Sequence, residues 1–116
     1  MKSKCNISKL VAMIAFASTG LISTSAYALD AAAAETMVRQ NGCFKCHSIT
    51  KAKDGPSYHS VAEKYRGKSD AEARLIKHIT SGEKAKFPDG HEEDHKIIKT
   101  KDMSEIKNVV DWILSL

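Results

Sequence analysis

Beyond residue 28 this chain is short of almost everything that would let it fold or work by familiar means. Only two of its three cysteines, Cys43 and Cys46, lie there, and only two of its four methionines, Met37 and Met103. No internal repeat, low-complexity tract or interdomain linker divides it, so one small domain is expected. No stretch reads convincingly as a β-strand. No acid/base pair or nucleophile constellation is visible, and so short a chain has little room for a substrate pocket, so an enzyme is not expected. One-sided charge is missing too. The chain has 18 basic and 14 acidic residues, but Lys2, Lys4 and Lys9 precede residue 28 and no acidic residue does, which leaves residues 29–116 at a net +1. That balance does not point to nucleic acid.

The one apolar run, residues 10–22, follows those three lysines and leads to Ala26-Tyr27-Ala28, an A-x-A cleavage site. It is too short for a membrane span and no basic stop follows it. It reads as a cleaved signal peptide over 1–28, which removes Cys5, sends the chain to the periplasm and leaves no stable membrane insertion. The expected mature domain is 29–116. A chain of that length buries a modest core and often needs a staple.

Cys43-Phe44-Lys45-Cys46-His47 supplies one. A Cys-x-x-Cys-His run is the attachment signature of a c-type haem. Two thiols add across the two vinyl groups, and the adjoining histidine is held under the iron as proximal ligand. A thioredoxin-like dithiol should follow a strand in a βαβ pattern, and none is seen. A four-ligand zinc site needs a second pair at ligand spacing, and only His91 and His95 are close together. In an exported chain two free thiols would otherwise oxidise together; haem attachment consumes both. The cofactor expected is therefore one covalent haem c.

The periodicities read as four helices. Asp30 caps a helix over 31–40 with Ala34, Met37 and Val38 on one face. Gly42 suits the turn into the haem motif. Tyr58, Val61, Ala62 and Tyr65 mark a second helix, ended by Gly67. Ser69-Asp70-Ala71-Glu72 reads as a capping box opening a third, with Leu75, Ile76 and Ile79 as its stripe and Gly82 as its stop. The fourth starts at Asp102, and Ile106, Val109, Val110, Ile113 and Leu114 give the clearest amphipathic pattern. Residues 83–101 remain as a long loop, which in so small a domain is usually functional. It is the segment available to cover the second face of the haem.

In this order and spacing, Gly42-Cys43-Phe44-Lys45-Cys46-His47, Gly55-Pro56, 61–67 and 110–116 resemble the small monohaem class I cytochromes c of the bacterial periplasmic c551/c552 type. The resemblance covers nearly all of 29–116. It implies an all-α fold of about four helices wrapped round one covalent haem, with the first and last helices crossing near Gly42 and Trp112. It implies that the Pro56 carbonyl accepts the His47 Nδ1 proton. Trp112 and Tyr65 are expected against the haem or the helix crossing, and Trp112 and Pro56 are counted with the cofactor-binding residues.

The sequence departs from that family at the distal side. The usual methionine, followed by prolines, is missing; Asp94-His95-Lys96 stands there. His95 is taken as the sixth ligand, giving bis-histidine iron, with His91, Met103 and an open or water-bound iron as the alternatives. His59 is expected to be exposed and His78 to be a partly buried surface residue. A divalent-metal reading of 91–95 gives way to a solvated acidic patch, and the Lys45, Lys51 and Lys53 group reads as scattered solvent lysines ahead of a basic rim for partners.

The function these residues imply is a soluble, monomeric periplasmic electron carrier that meets redox partner proteins transiently. The alternatives are a gas-binding or sensing haem protein with a detachable distal histidine, and a cytochrome subunit of a larger oxidoreductase.

Overall fold

A computed structural model describes residues 28–116, and the signal-peptide reading falls almost wholly outside them. The four expected helices are present: α1 (Ala31–Gln40), α2 (Tyr58–Tyr65), α3 (Ala71–Ser81) and α4 (Met103–Leu114). A short 3-10 turn, Cys43–Lys45, holds the first half of the haem motif. Asp30 caps α1, its side chain accepting from the Ala33 N–H, and Asp102 caps α4, accepting from the Ser104 N–H.

The spine is α4. Its Ile106, Val109, Val110, Trp112 and Ile113 are all buried, and each such apolar side chain contributes about 1.5–3 kcal/mol when withdrawn from water. Ala34 and Val38 of α1 pack into the same core with Tyr58 of α2 and Ile98 of the segment before α4. The α1–α4 packing is locked at one end by Asn108, which is 4% exposed. Its Oδ1 accepts from the Asp30 N–H at 2.9 Å and its Nδ2 donates to the Asp30 carbonyl at 2.8 Å. At the other end Gly42 takes a left-handed φ of +70° and turns the chain from α1 into the haem motif.

Two local expectations are corrected. The capping box on α3 does not form. Asp70 is the N-cap and makes no side-chain cap bond, while Glu72 is drawn to Lys107 of α4. A tertiary ion pair has won over the local hydrogen bond. Residues 83–101 are also not all loop. Lys84–Lys86 and Glu92–Asp94 form a two-stranded antiparallel hairpin, β1 and β2, with Lys84 opposite Asp94 and Lys86 opposite Glu92. Its strands are polar, so no apolar alternation betrays them. What closes the hairpin is the turn Phe87-Pro88-Asp89-Gly90, where the Gly90 N–H donates to the Phe87 carbonyl at 2.9 Å, with proline and glycine at the positions such a turn favours. Opposite charges face each other across the strands, Lys84 Nζ lying 2.7 Å from Asp94.

Among the described residues no helix is long and apolar enough to cross a membrane.

Candidate haem site

The site lies between the 3-10 turn, α2, α3 and the segment after the hairpin. Cys43 and Cys46 are unpaired, half-buried thiols set by the turn, with the Cys46 and His47 N–H groups both donating to the Cys43 carbonyl at 3.2 and 3.0 Å. Burial, above all, raises the Cys43 thiol pKa. His47 Nδ1 lies 2.8 Å from the Pro56 carbonyl oxygen. A carbonyl only accepts, so Nδ1 carries the proton and Nε2 keeps its lone pair for a metal. Burial lowers the His47 pKa, favouring that neutral form. The ring stacks on Tyr58, with centres 5.3 Å apart and planes at 20°.

Gly55 makes this placement possible. A Cβ there would stand 2.5 Å from His47 Cε1, so the imidazole is seated directly on the bare backbone before Pro56.

Two adjoining hollows, of about 80 and 590 Å³, open beside His47. Val38, Tyr58, Leu75, Ile79, Ile98, Val109 and Ile113 form the apolar wall of the smaller; Cys46, Pro56, Tyr65 and the first hairpin strand line the larger. Cys43, His47, His78 and His95 border both.

His95 follows β2 directly. Its N–H donates to the Glu83 carbonyl at 2.9 Å, one step beyond the Lys84–Asp94 pair. The hairpin thereby delivers the ring to the cavity facing His47, with ring centres 6.1 Å apart. Its Nδ1 is sealed from solvent without a hydrogen-bond partner. Burial, then the nearby His78 and His47, pushes its pKa down to about 4, so it stands neutral at pH 7. Two imidazoles on one metal, with bonds of about 2 Å and about 1 Å from nitrogen to ring centre, have their centres about 6 Å apart. The observed spacing, the apolar walls and the two free thiols fit a haem between the two rings.

Neither alternative distal residue is brought to the cavity. His91 is exposed, its Nδ1 paired with Asp89, its Nε2 3.2 Å from Glu93 Oε1, and its ring stacked on Phe87. Met103 opens α4 and is 56% exposed. Trp112 is buried, its ring centre 5.8 Å from that of Tyr58 in an edge-on arrangement, in the core behind the cavity and not in its lining. His59 is exposed. His78 is the residue sequence reasoning missed. It is partly buried beside the α3 stripe, as expected, and it also borders the cavity, with its ring centre 4.0 Å from that of His95. Its place four residues after Arg74 and three after Leu75 on a stripe facing the core was the available signal.

Residues 31–116 match the family model described as cytochrome c. The chain belongs to the cytochrome c family. It is similar to cytochrome c-551 of Allochromatium vinosum, 34% identical over 86 residues that cover 69% of this chain and 82% of that one. It is similar to cytochrome c-552 of Hydrogenobacter thermophilus, 32% identical over 82 residues covering 71% and 80%. Among solved structures, class 1 cytochrome MtoD from Sideroxydans lithotrophicus ES-1 is 67% identical, with a TM-score of 0.73, covering 76% of this chain and 97% of that one. Nitrosomonas europaea cytochrome c552 matches at 26% identity and a TM-score of 0.57. This chain is accordingly a monohaem class I cytochrome c, a haem-based electron-transfer protein with one covalent c-type haem.

Proposed function

We propose that this chain is a soluble, monomeric periplasmic carrier of single electrons, exported by a leader removed after Ala28, with bis-histidine haem iron. Cys43 and Cys46 supply the two thioethers, His47 is the proximal ligand and His95 the distal one. The observation that carries this reading is the pair of imidazoles facing each other at 6.1 Å across an apolar cavity beside both thiols. The bound haem supplies the one-electron Fe(III)/Fe(II) couple. The chain's own residues bind, orient and exclude water. Pro56 holds the His47 tautomer and raises the ring's basicity through the Nδ1 proton. Tyr58 and Gly55 fix the ring plane. The α3 and α4 side chains keep water from the iron. The hairpin carries His95 into place.

Lys45 and Lys51 are exposed beside the thioether turn, whereas Lys53 is occupied, its Nζ donating to the Phe44 carbonyl at 2.6 Å. The partners are redox proteins met in brief encounters over a small interface.

Imidazole favours Fe(III) more than a thioether does, so the potential is expected below that of histidine/methionine relatives. A redox titration of the matured protein tests this. One reversible one-electron wave at a low potential is expected. A potential typical of histidine/methionine iron, or a sulfur-to-iron absorption band, refutes the ligand assignment.

A further inference from the structure

Two histidines, not one, share the side of the cavity facing His47. His78 lies in the last turn of α3 and borders both hollows. Its ring is centred 4.0 Å from that of His95, the planes inclined at 40°. His78 Nδ1 is 2.6 Å from Glu83 Oε1. An ionised carboxylate only accepts, so Nδ1 carries a proton, and in the neutral ring Nε2 has the free lone pair. Arg74 fixes the same Glu83 oxygen from the side, 2.7 Å away.

This is the support that metal-binding imidazoles have. A carboxylate on one ring nitrogen sets the tautomer, aims the ring and makes the other nitrogen a better donor. His95 lacks it, since its Nδ1 is buried without a partner. The two residues differ in backbone as well. His95 hangs from a hairpin whose strands are largely exposed, and His78 sits on a helix anchored to the core by Ala71 and Leu75. A surface pair that merely ties α3 to the hairpin would need the Glu83 bonds, but not an imidazole bordering the haem cavity.

We propose that His78 is a second distal ligand, which takes the iron's sixth position when His95 leaves it. The inference rests on His95 as the ordinary sixth ligand. One iron–nitrogen bond breaks and an equivalent one forms, a neutral imidazole replacing a neutral imidazole, so neither an electron nor a proton is gained or lost. Loss of the hairpin contact then leaves the iron six-coordinate and closed to outside ligands.

The test is EPR and optical spectroscopy of the oxidised haem-loaded protein, with covalent haem and helical content checked in each variant. His95→Ala is expected to stay low-spin with a bis-imidazole signal. His78→Ala is expected to match the parent. The double variant is expected to lose the low-spin signal and to regain it on adding free imidazole. A high-spin His95→Ala protein overturns the exchange and leaves His95 as the ligand. A high-spin His78→Ala protein beside a low-spin His95→Ala protein overturns the His95 assignment itself, and the exchange with it. A double variant that stays low-spin overturns both. If the double variant does not mature, His95→Ala with His78→Met replaces it. A sulfur-to-iron band is then expected, and any other spectrum overturns the proposal.

Discussion

Replacing Gly55 with alanine is the smallest change that strikes the haem side of this protein. One methyl group is added, and its position is fixed. It would meet His47 Cε1 at 2.5 Å, Nδ1 at 2.8 Å and Nε2 at 3.0 Å, where carbon contacts ordinarily lie at about 3.5–4.0 Å. Alanine's own backbone is not the obstacle, because Gly55 has no positive φ. Nor can the loop swing away freely. The Gly55 N–H donates to the Cys46 carbonyl at 2.7 Å and its carbonyl accepts from the Lys53 N–H at 2.9 Å. The ring must therefore retreat by about 1 Å to reach ordinary contact, and the 2.8 Å bond to Pro56 goes with it. Overpacking of this kind costs about 1–3 kcal/mol, and the lost hydrogen bond about 1 kcal/mol more. In a domain this small a total of about 2–4 kcal/mol lowers the melting temperature on the order of 10–20 °C. The potential should rise as well, because a less basic His47 stabilises Fe(III) less. Thermal unfolding and redox titration of the matured variant measure both. A Gly55→Ala protein with the parent's melting temperature and potential refutes the seating of His47 on this backbone.

Asn108→Ala should lower stability by about 1–2 kcal/mol, read as a shifted urea midpoint with unchanged slope, because the Asp30 N–H loses its partner and the Asp30 carbonyl keeps only the Ala34 N–H. Asp102→Ala should lower the melting temperature at neutral pH. Hydrogen bonds from the Ser104 hydroxyl and N–H hold the Asp102 carboxyl below its ordinary 3.8, so its contribution is complete above that value and fades as pH falls through the depressed one. The difference between variant and parent should therefore narrow in melts run below pH 3.8; a difference independent of pH counts against the cap. His91→Ala and Met103→Leu should leave the spectrum and the potential unchanged, since one side chain is exposed among acidic residues and the other is 56% exposed.

Much of this was legible in the residues. The haem motif, the Asp30 and Asp102 caps and the α4 stripe depend on neighbours in sequence, and each is found where the pattern put it. The Ser69–Glu72 box was legible but overridden, because Lys107 approaches from a helix 35 residues away. The hairpin was hidden for a different reason. Its strands are three residues each and carry lysine and glutamate in place of β-branched residues; only Pro88-Asp89-Gly90 and the complementary charges announce it. His95 could be chosen by position along the chain, but the hairpin register that swings it to the cavity is a tertiary fact. His78 is partly buried, as expected; that it borders the cavity was not legible, because period counting at the edge of a stripe does not tell what the side chain faces.

In the site proposed here two imidazoles, His47 and His95, flank the iron. Near-infrared magnetic circular dichroism of the oxidised, matured protein reads the axial pair directly. A bis-imidazole charge-transfer band with no thioether-to-iron band is expected. A band of methionine-ligated or high-spin iron contradicts it.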